Sequence, residues 1–445
     1  VGCALMLTKT FGLDPSRVLL VERGEAVGET FRRWPAEMRF ISPSFNQQGW
    51  TSSFDLNSIA HGTSPAYSLH NEHPSGDEYA DYLHVLAKAA ELRVLTMTEV
   101  VSVQALGEEG GPSLFSVGVS ATTKPFHESR ILHTKPGHGS KPSKAQKLTA
   151  RYVVWAAGEF QYPATESASA VEGAELCMHN SMVRSWANLP GDDFVLIGGS
   201  ESGSDAAINL AKAGKRATVL ASTASWDACT PDPSTELAPY TAARLREVTA
   251  AGFSPRPKLL APLRVLRVEK APAGGFNVVA TWKAAETRPP PGPLRKPLAE
   301  HAEGGGAKDA SAPAGAEGSE LVVHTTQPPV LCAGFQGSVA SSARHLFDLA
   351  DGSDGAKGCL AGAPLLTAND ESTRVPGVFL VGPTVSHGKL SFCFIYKFRQ
   401  RFGIVANTIC TGLGRDTTKA VEACRKMNMY LDDFSCCKSA CGEAC

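Results

Sequence analysis

The stretch FVLIGGSESGSDAA, residues 194–207, constrains this chain more than any other. Four apolar residues lead into two glycines, a short polar run and then residues with helical spacing. An apolar run of this length belongs to a parallel strand buried on both faces, and a glycine turn straight into a helix is how such a sheet seats a phosphate. In a dinucleotide-binding turn the first glycine permits the bend. The second lets the backbone approach the pyrophosphate, and the third lets helix pack on strand. Gly198 and Gly203 stand at the first and third positions, with Ser200 at the second. Its Cβ fits if the phosphate sits slightly farther out, where the hydroxyl donates a hydrogen bond. The helix opening at Glu201 and Ser202 turns its free N–H groups toward the anion. The alternative for the same residues is a tight strand–helix turn that holds no ligand.

A second strand, RATVLA (216–221), follows, and Gly214 ends the helix SDAAINLAKAGK (204–215) near Lys212 and Lys215, as a helix C-terminus prefers. That strand ends at Ala221-Ser222 without the carboxylate that holds a ribose 2′-hydroxyl. Ser222 therefore favours a 2′-phosphate, and the nucleotide expected is NADPH rather than NADH. The runs RVLLVE (17–22), RYVVWAAG (151–158), PPVLCAGF (328–335) and GVFLVG (377–382) repeat the apolar pattern and predict further parallel strands with crossover helices. RVLLVE ends in Glu22, followed by Arg23 and Gly24, where a second ribose-binding acid belongs. A helix, GCALMLTKTFG, precedes it with Gly2 in the first turn. The strand and glycine turn expected before that helix are not in the sequence, which reads as a truncated record.

A chain of 445 residues predicts two domains. Its formal net charge of -1 lacks the basic excess of a nucleic-acid binder, and no apolar run reaches bilayer-spanning length. Residues 122–148 and 284–320 are poor in large apolar side chains and read as flexible insertions. His127, His133 and His138 in the first are weak metal candidates, and a solvated loop is the preferred reading. Cys3, Cys177, Cys332, Cys393 and Cys410 sit in apolar surroundings and read as buried small hydrophobes, a pattern that suits a soluble protein in a reducing compartment, cytoplasm or an organelle lumen such as the plastid stroma.

Four more segments complete the picture: VERGEAVGETFRRWPAEMRFISPS, HPSGDEYADYLHVLAKAAELRVLTMTEVVSV, VVWAAGEFQYP and VPGVFLVGP. In order and spacing they resemble the two-dinucleotide-binding flavoproteins. Within these they are most similar to the flavin-containing monooxygenases and the relatives that reduce low-molecular-weight disulfides, such as bacillithiol disulfide reductase. The resemblance implies an α/β fold of two Rossmann-like three-layer nucleotide-binding domains, the FAD domain split by an inserted NADPH domain. It places FAD against Glu22, Arg23, the segment containing Trp34, and the backbone near Val100. It makes Ala157 and Gly158 the turn of the strand joining the domains, and VEGAELCMHNS, with Gly173 and His179, the entry to the NADPH domain. Gly382-Pro383 stands where relatives carry Gly-Asp, so no carboxylate there holds the ribitol. SFCFIYKFRQRFGIVA becomes the helix whose N-terminus faces the flavin.

The implied domains are 1–165 and 325–430 for FAD, 166–324 for NADPH, and a tail, 431–445, with Cys436, Cys437, Cys441 and Cys445. No C-x-x-C lies near the flavin segments. The tail's thiols are candidates for a redox arm, a soft-metal site or metal(loid) capture. The expected activity is hydride transfer from NADPH to FAD and on to a small disulfide or oxygen. A monooxygenase-type N- or S-hydroxylase is the alternative, and a catalytically silent structural subunit is the alternative from another class. His387 and Lys389 are acid–base candidates. Substrate and oligomeric state stay open.

Overall fold

The computed structural model describes residues 1–45, 54–107, 113–122, 146–164, 171–227, 236–284, 315–350, 362–388 and 390–434. The chain folds as mixed α/β, and each half repeats one three-layer plan.

In the middle of the chain five parallel strands lie in the order Lys258–Leu260, Arg216–Leu220, Asp193–Ile197, Val330–Leu331 and Met178–His179. The FVLI run alternates across this sheet. Phe194 and Leu196 pack with the helices Glu201–Lys212 and Pro239–Thr249, while Val195 and Ile197 pack with an antiparallel sheet of Leu263–Lys270, Phe276–Trp282 and Glu320–Thr325. A run that is apolar at every position is what two covered faces require. Its four side chains are at most 6 % exposed.

The first and last parts of the chain build the second copy of the plan. Leu19–Val21 pairs in parallel with Arg93–Leu95, and Val153–Trp155 pairs in parallel with Val378–Leu380. Helices Gly2–Leu5, Gly76–Ala89 and Phe402–Gly412 cover one side. The antiparallel sheet Thr98–Ala105, Phe115–Ala121 and Gln146–Ala150 covers the other, with Phe379 turned to the helices and Val378 and Leu380 to the sheet. Helix Gly76–Ala89 starts where it does because Ser75 and Glu78 close a capping box on it.

Three expectations change. The two parallel pairs of this half are not bonded to each other, and Leu19, expected in a doubly buried strand, is 40 % exposed. The first insertion is shorter than residues 122–148, because Gln146–Leu148 supply apolar and polar positions to an edge strand paired with residues 117–119; residues 123–145 lie outside the described part. The second gives up its end likewise, Glu320 opening the strand Glu320–Thr325. Among the described residues no helix is long and apolar enough to cross a membrane.

Candidate functional site

The mid-chain turn is built as its spacing demands. Gly198 has φ +111°, and a Cβ there would lie 2.6 Å from the Cys332 carbonyl oxygen. A Cβ on Gly203 would lie 1.9 Å from the Gly198 oxygen, so the helix rests directly on the turn. Ser200 is the N-cap of Glu201–Lys212, and its side chain accepts no capping hydrogen bond. Lys212 occupies the last turn, and Gly214 follows at φ +76°.

The carboxylate of Glu201 is used for packing. It accepts from the Ala238 N–H and from Thr241 Oγ1 (2.6 Å), tying helix Glu201–Lys212 to Pro239–Thr249. Asp205, one turn on, is buried against Arg244 at 2.6 Å and Asn209 at 3.0 Å. Burial raises the pKa of both acids, although hydrogen bonds oppose it. At the end of the second strand, exposed Ser222 has Lys283 Nζ 3.2 Å from its carbonyl oxygen.

One cavity of about 1580 Å³ joins the two halves. Glu22, Arg23, Trp34 and Val100 line it from the first segment, Ala157 and Gly158 from the linking strand, and Gly382 and Pro383 from the last strand. Glu201, Ser202 and Asp205 line it from the mid-chain helix. Gly198, Ser200, Gly203 and Ser222 stand outside its lining. Glu22 is desolvated, which raises its pKa; its Oε1 accepts from the Gly24 N–H at 2.7 Å. Arg23 reaches Glu99 at 3.1 Å and Gln161 at 2.9 Å. Trp34 packs with Phe31 and Phe40, their ring centroids 5.2 and 5.0 Å away. Val100 pairs with Val119 beside a bulge.

Several expected residues do other work. Gly2 opens the first helix and also touches the cavity, but a Cβ on it would meet Phe402 at 2.4 Å and Ile59 at 2.7 Å, so its bareness serves close packing. His387 is not an acid–base group of the cavity. Its Nε2 lies 2.6 Å from Asp370 Oδ1, and Arg401 grips the same carboxylate at 2.8 and 2.9 Å, away from the lining. Cys393, expected to be buried, is exposed and lines the cavity. Cys177 and Cys332 are half-buried, and Cys3 and Cys410 are buried as expected. Burial pushes the thiols of Cys3, Cys177 and Cys332 up to about 12, which leaves them inert. The helix expected from residues 391–406 runs as Ile395–Phe398, a 3-10 turn Arg399–Arg401 and Phe402–Gly412. Buried Arg399 donates to the carbonyls of Phe54, Asp55 and Ser58. Lys389, His127, His133, His138 and the four tail cysteines lie outside the described residues.

Three features were not expected from sequence. Glu37 crosses between the halves and accepts from Ser185 Oγ (2.6 Å) and from the N–H groups of Trp186 (3.0 Å) and Ala187 (3.1 Å). Burial pushes its pKa up, but these donors outweigh that and hold it below the ordinary value. His73 stacks on Tyr240 with centroids 3.7 Å apart, a second bridge between halves. Glu159 joins the two linkers and is taken up below. A carboxylate after a proline-flanked Trp or after a linker glycine is a pattern too common in sequences to mark any of these.

Two nucleotide-binding plans opening onto one cavity define a class of proteins that carry two dinucleotides. A family model described as pyridine nucleotide-disulphide oxidoreductase matches residues 1–122 and 141–269, more than half of the chain. The chain belongs to that family of oxidoreductases. Among solved structures it is similar to bacillithiol disulfide reductase Bdr (YpdA) from Bacillus cereus, at 18 % identity over 92 % of this chain and 95 % of that one, TM-score 0.57. It is similar to the ornithine N-hydroxylase of Kutzneria sp. 744, at 14 % identity with the same coverage and TM-score 0.57. Thioredoxin reductase of T. acidophilum matches at 14 % identity over 93 % and 95 % of the two chains, TM-score 0.51. At these identities the likeness is one of fold.

Proposed function

We propose that the chain is an FAD-dependent NADPH oxidoreductase that passes a hydride equivalent from NADPH through FAD to a small disulfide or to oxygen. The observation that carries this reading is the shared cavity. The first turn of the mid-chain helix and the strand ends of the first half line one continuous space. A nicotinamide held from the mid-chain side and a flavin held from the other would share this space.

The residues present fit both nucleotides. Helix Glu201–Lys212 opens directly from the Gly198–Gly203 turn, and Glu201 and Ser202 in its first turn line the cavity, where its free N–H groups would meet a pyrophosphate. Gly158 and Gly382 face the cavity with φ +75° and +116°, and a Cβ on Gly382 would meet no protein atom within 4 Å, so bare backbone is open to a ligand. Glu22 has the place and acceptor character for a ribose hydroxyl. Ser222, with Lys283 beside it, gives a 2′-phosphate a hydroxyl and a cation, which supports NADPH over NADH. Bound flavin supplies the two-electron chemistry. The protein's part is to orient the two rings and exclude water, with Trp34 and Phe40 forming an apolar wall of the cavity.

Among the described residues the buried core thiols are raised in pKa, so none stands out as an activated dithiol. A small disulfide would then be reduced at the cavity or through the tail thiols. The test is NADPH oxidation by the flavin-loaded chain with a low-molecular-weight disulfide and, separately, with oxygen alone. Release of two thiols for each NADPH consumed supports the reductase. Peroxide alone in the absence of an organic substrate shifts the reading to an oxidase or hydroxylase, and no oxidation with either supports a silent subunit.

A further inference from the structure

Glu159 follows Gly158 in the linker that leaves the first half, and it lines the cavity with Gly382 and Pro383. Its Oε1 accepts from Thr384 Oγ1 at 3.0 Å and Ser338 Oγ at 3.1 Å, and its Oε2 accepts from the Ser338 N–H at 3.1 Å. No described cation pairs with it, and burial pushes its pKa up against the pull of these donors. A carboxylate offers about four lone-pair sites, so Oε2 keeps capacity for another donor.

The surroundings say what that donor is. Val153–Trp155 and Val378–Leu380 are adjacent parallel strands, so their C-terminal turns, Ala156–Glu159 and Val381–Thr384, lie side by side. Ligands of α/β sheets bind outside these strand ends. Here Gly158 and Gly382 offer backbone without side chains to the cavity, and Glu159, next to Gly158 in the chain, lines it with them. Pro383 carries no carboxylate at the end of the last strand, and Glu159 brings one from the neighbouring strand to Thr384, the next residue. Such a wall suits a chain of hydroxyl groups.

We propose that Glu159 is a positioning residue that accepts a hydrogen bond from a hydroxyl of the flavin nucleotide's polyol chain. The inference rests on the reading of the cavity as a flavin site. It also gives Glu159 a second role, since Ser338 belongs to the returning linker and its hydroxyl also takes the Trp155 indole N–H at 3.0 Å.

The test measures FAD affinity by flavin fluorescence, and Tm with and without FAD, for the full chain, Glu159→Gln and Ser338→Ala. Ser338→Ala removes a linker bond but leaves the carboxylate. The expected result is roughly 10–100-fold weaker FAD binding in Glu159→Gln, as for loss of a charge-assisted hydrogen bond, with a smaller FAD-induced rise in Tm. Ser338→Ala is expected to lower Tm equally with and without FAD and to hold FAD affinity within about threefold. Should Glu159→Gln fail to fold, Glu159→Asp, which keeps the charge but shortens its reach, is expected to bind FAD roughly 3–10-fold more weakly than the unaltered chain, and unchanged affinity there overturns the proposal. Wild-type affinity in Glu159→Gln, or equal losses in both variants, overturns the proposal and leaves a linker pin. Failure of the unaltered chain to bind FAD overturns the flavin reading itself.

Discussion

In the middle of the chain, Phe194–Ile197 lies between two parallel neighbours and is almost wholly buried. In the first half, Leu19–Val21 has one parallel neighbour, and Leu19 stays 40 % exposed. The two runs look alike in sequence. What separates them in the described structure is the number of paired neighbours, two for Phe194–Ile197 and one for Leu19–Val21. The glycines of the mid-chain turn are filled against by neighbouring protein atoms. In the first half, Gly158 and Gly382 and the half-buried acids Glu22 and Glu159 face the cavity.

The comparison can be broken most directly by truncating matched leucines. Leu196→Ala is expected to destabilise by about 2–5 kcal/mol, because it leaves a hole in a closed layer, and Leu19→Ala by less than about 1 kcal/mol. Urea denaturation followed by circular dichroism reads both, and similar losses would show that the two sheets are equally packed. Gly203→Ala forces a Cβ into the Gly198 oxygen and is expected to cost about 1–3 kcal/mol, with loss of NADPH binding. Gly382→Ala meets no protein atom but places a side chain at φ +116°, so it is expected to cost about 1–3 kcal/mol in backbone strain and also to lower retained flavin, measured as the visible absorbance of the purified chain.

Smaller effects test the seams. Lys283→Ala is expected to raise the NADPH KM about 10-fold and leave that for NADH unchanged, in keeping with one lost charge-assisted contact. Equal change for both nucleotides would remove the 2′-phosphate role. Glu37 has its pKa held below the ordinary glutamate value in the folded chain by the Ser185, Trp186 and Ala187 donors. Its stabilising contribution is therefore present above the unfolded value and is lost as pH falls through the folded one. Glu37→Gln is expected to flatten part of the acid limb of a Tm-against-pH profile. An unchanged limb would mean that Glu37 does not hold the halves together.

Much of this was legible in the sequence. All six apolar runs form strands, and the Gly198–Gly203 spacing marks a turn that the structure builds without spare volume, because strand period and glycine sterics are local. Residues whose role depends on a distant partner were not legible. Cys393 follows a buried phenylalanine and has aromatic neighbours, yet it is exposed and lines the cavity. His387 looked free beside the last strand, but Asp370 and Arg401 arrive from elsewhere in the chain to hold it. Glu37 and Glu159 become meaningful when Ser185, Ser338 and Thr384 are brought against them, and only the fold does that.

The central claim is that the two nucleotide sites share one reaction space. The visible spectrum of the flavin-loaded chain, recorded without oxygen before and after one equivalent of NADPH, tests it most directly. The account predicts that the flavin bands bleach as NADPH is consumed. Bands that persist with NADPH unconsumed would contradict it, because both nucleotides would then be bound by the fold without meeting in the cavity.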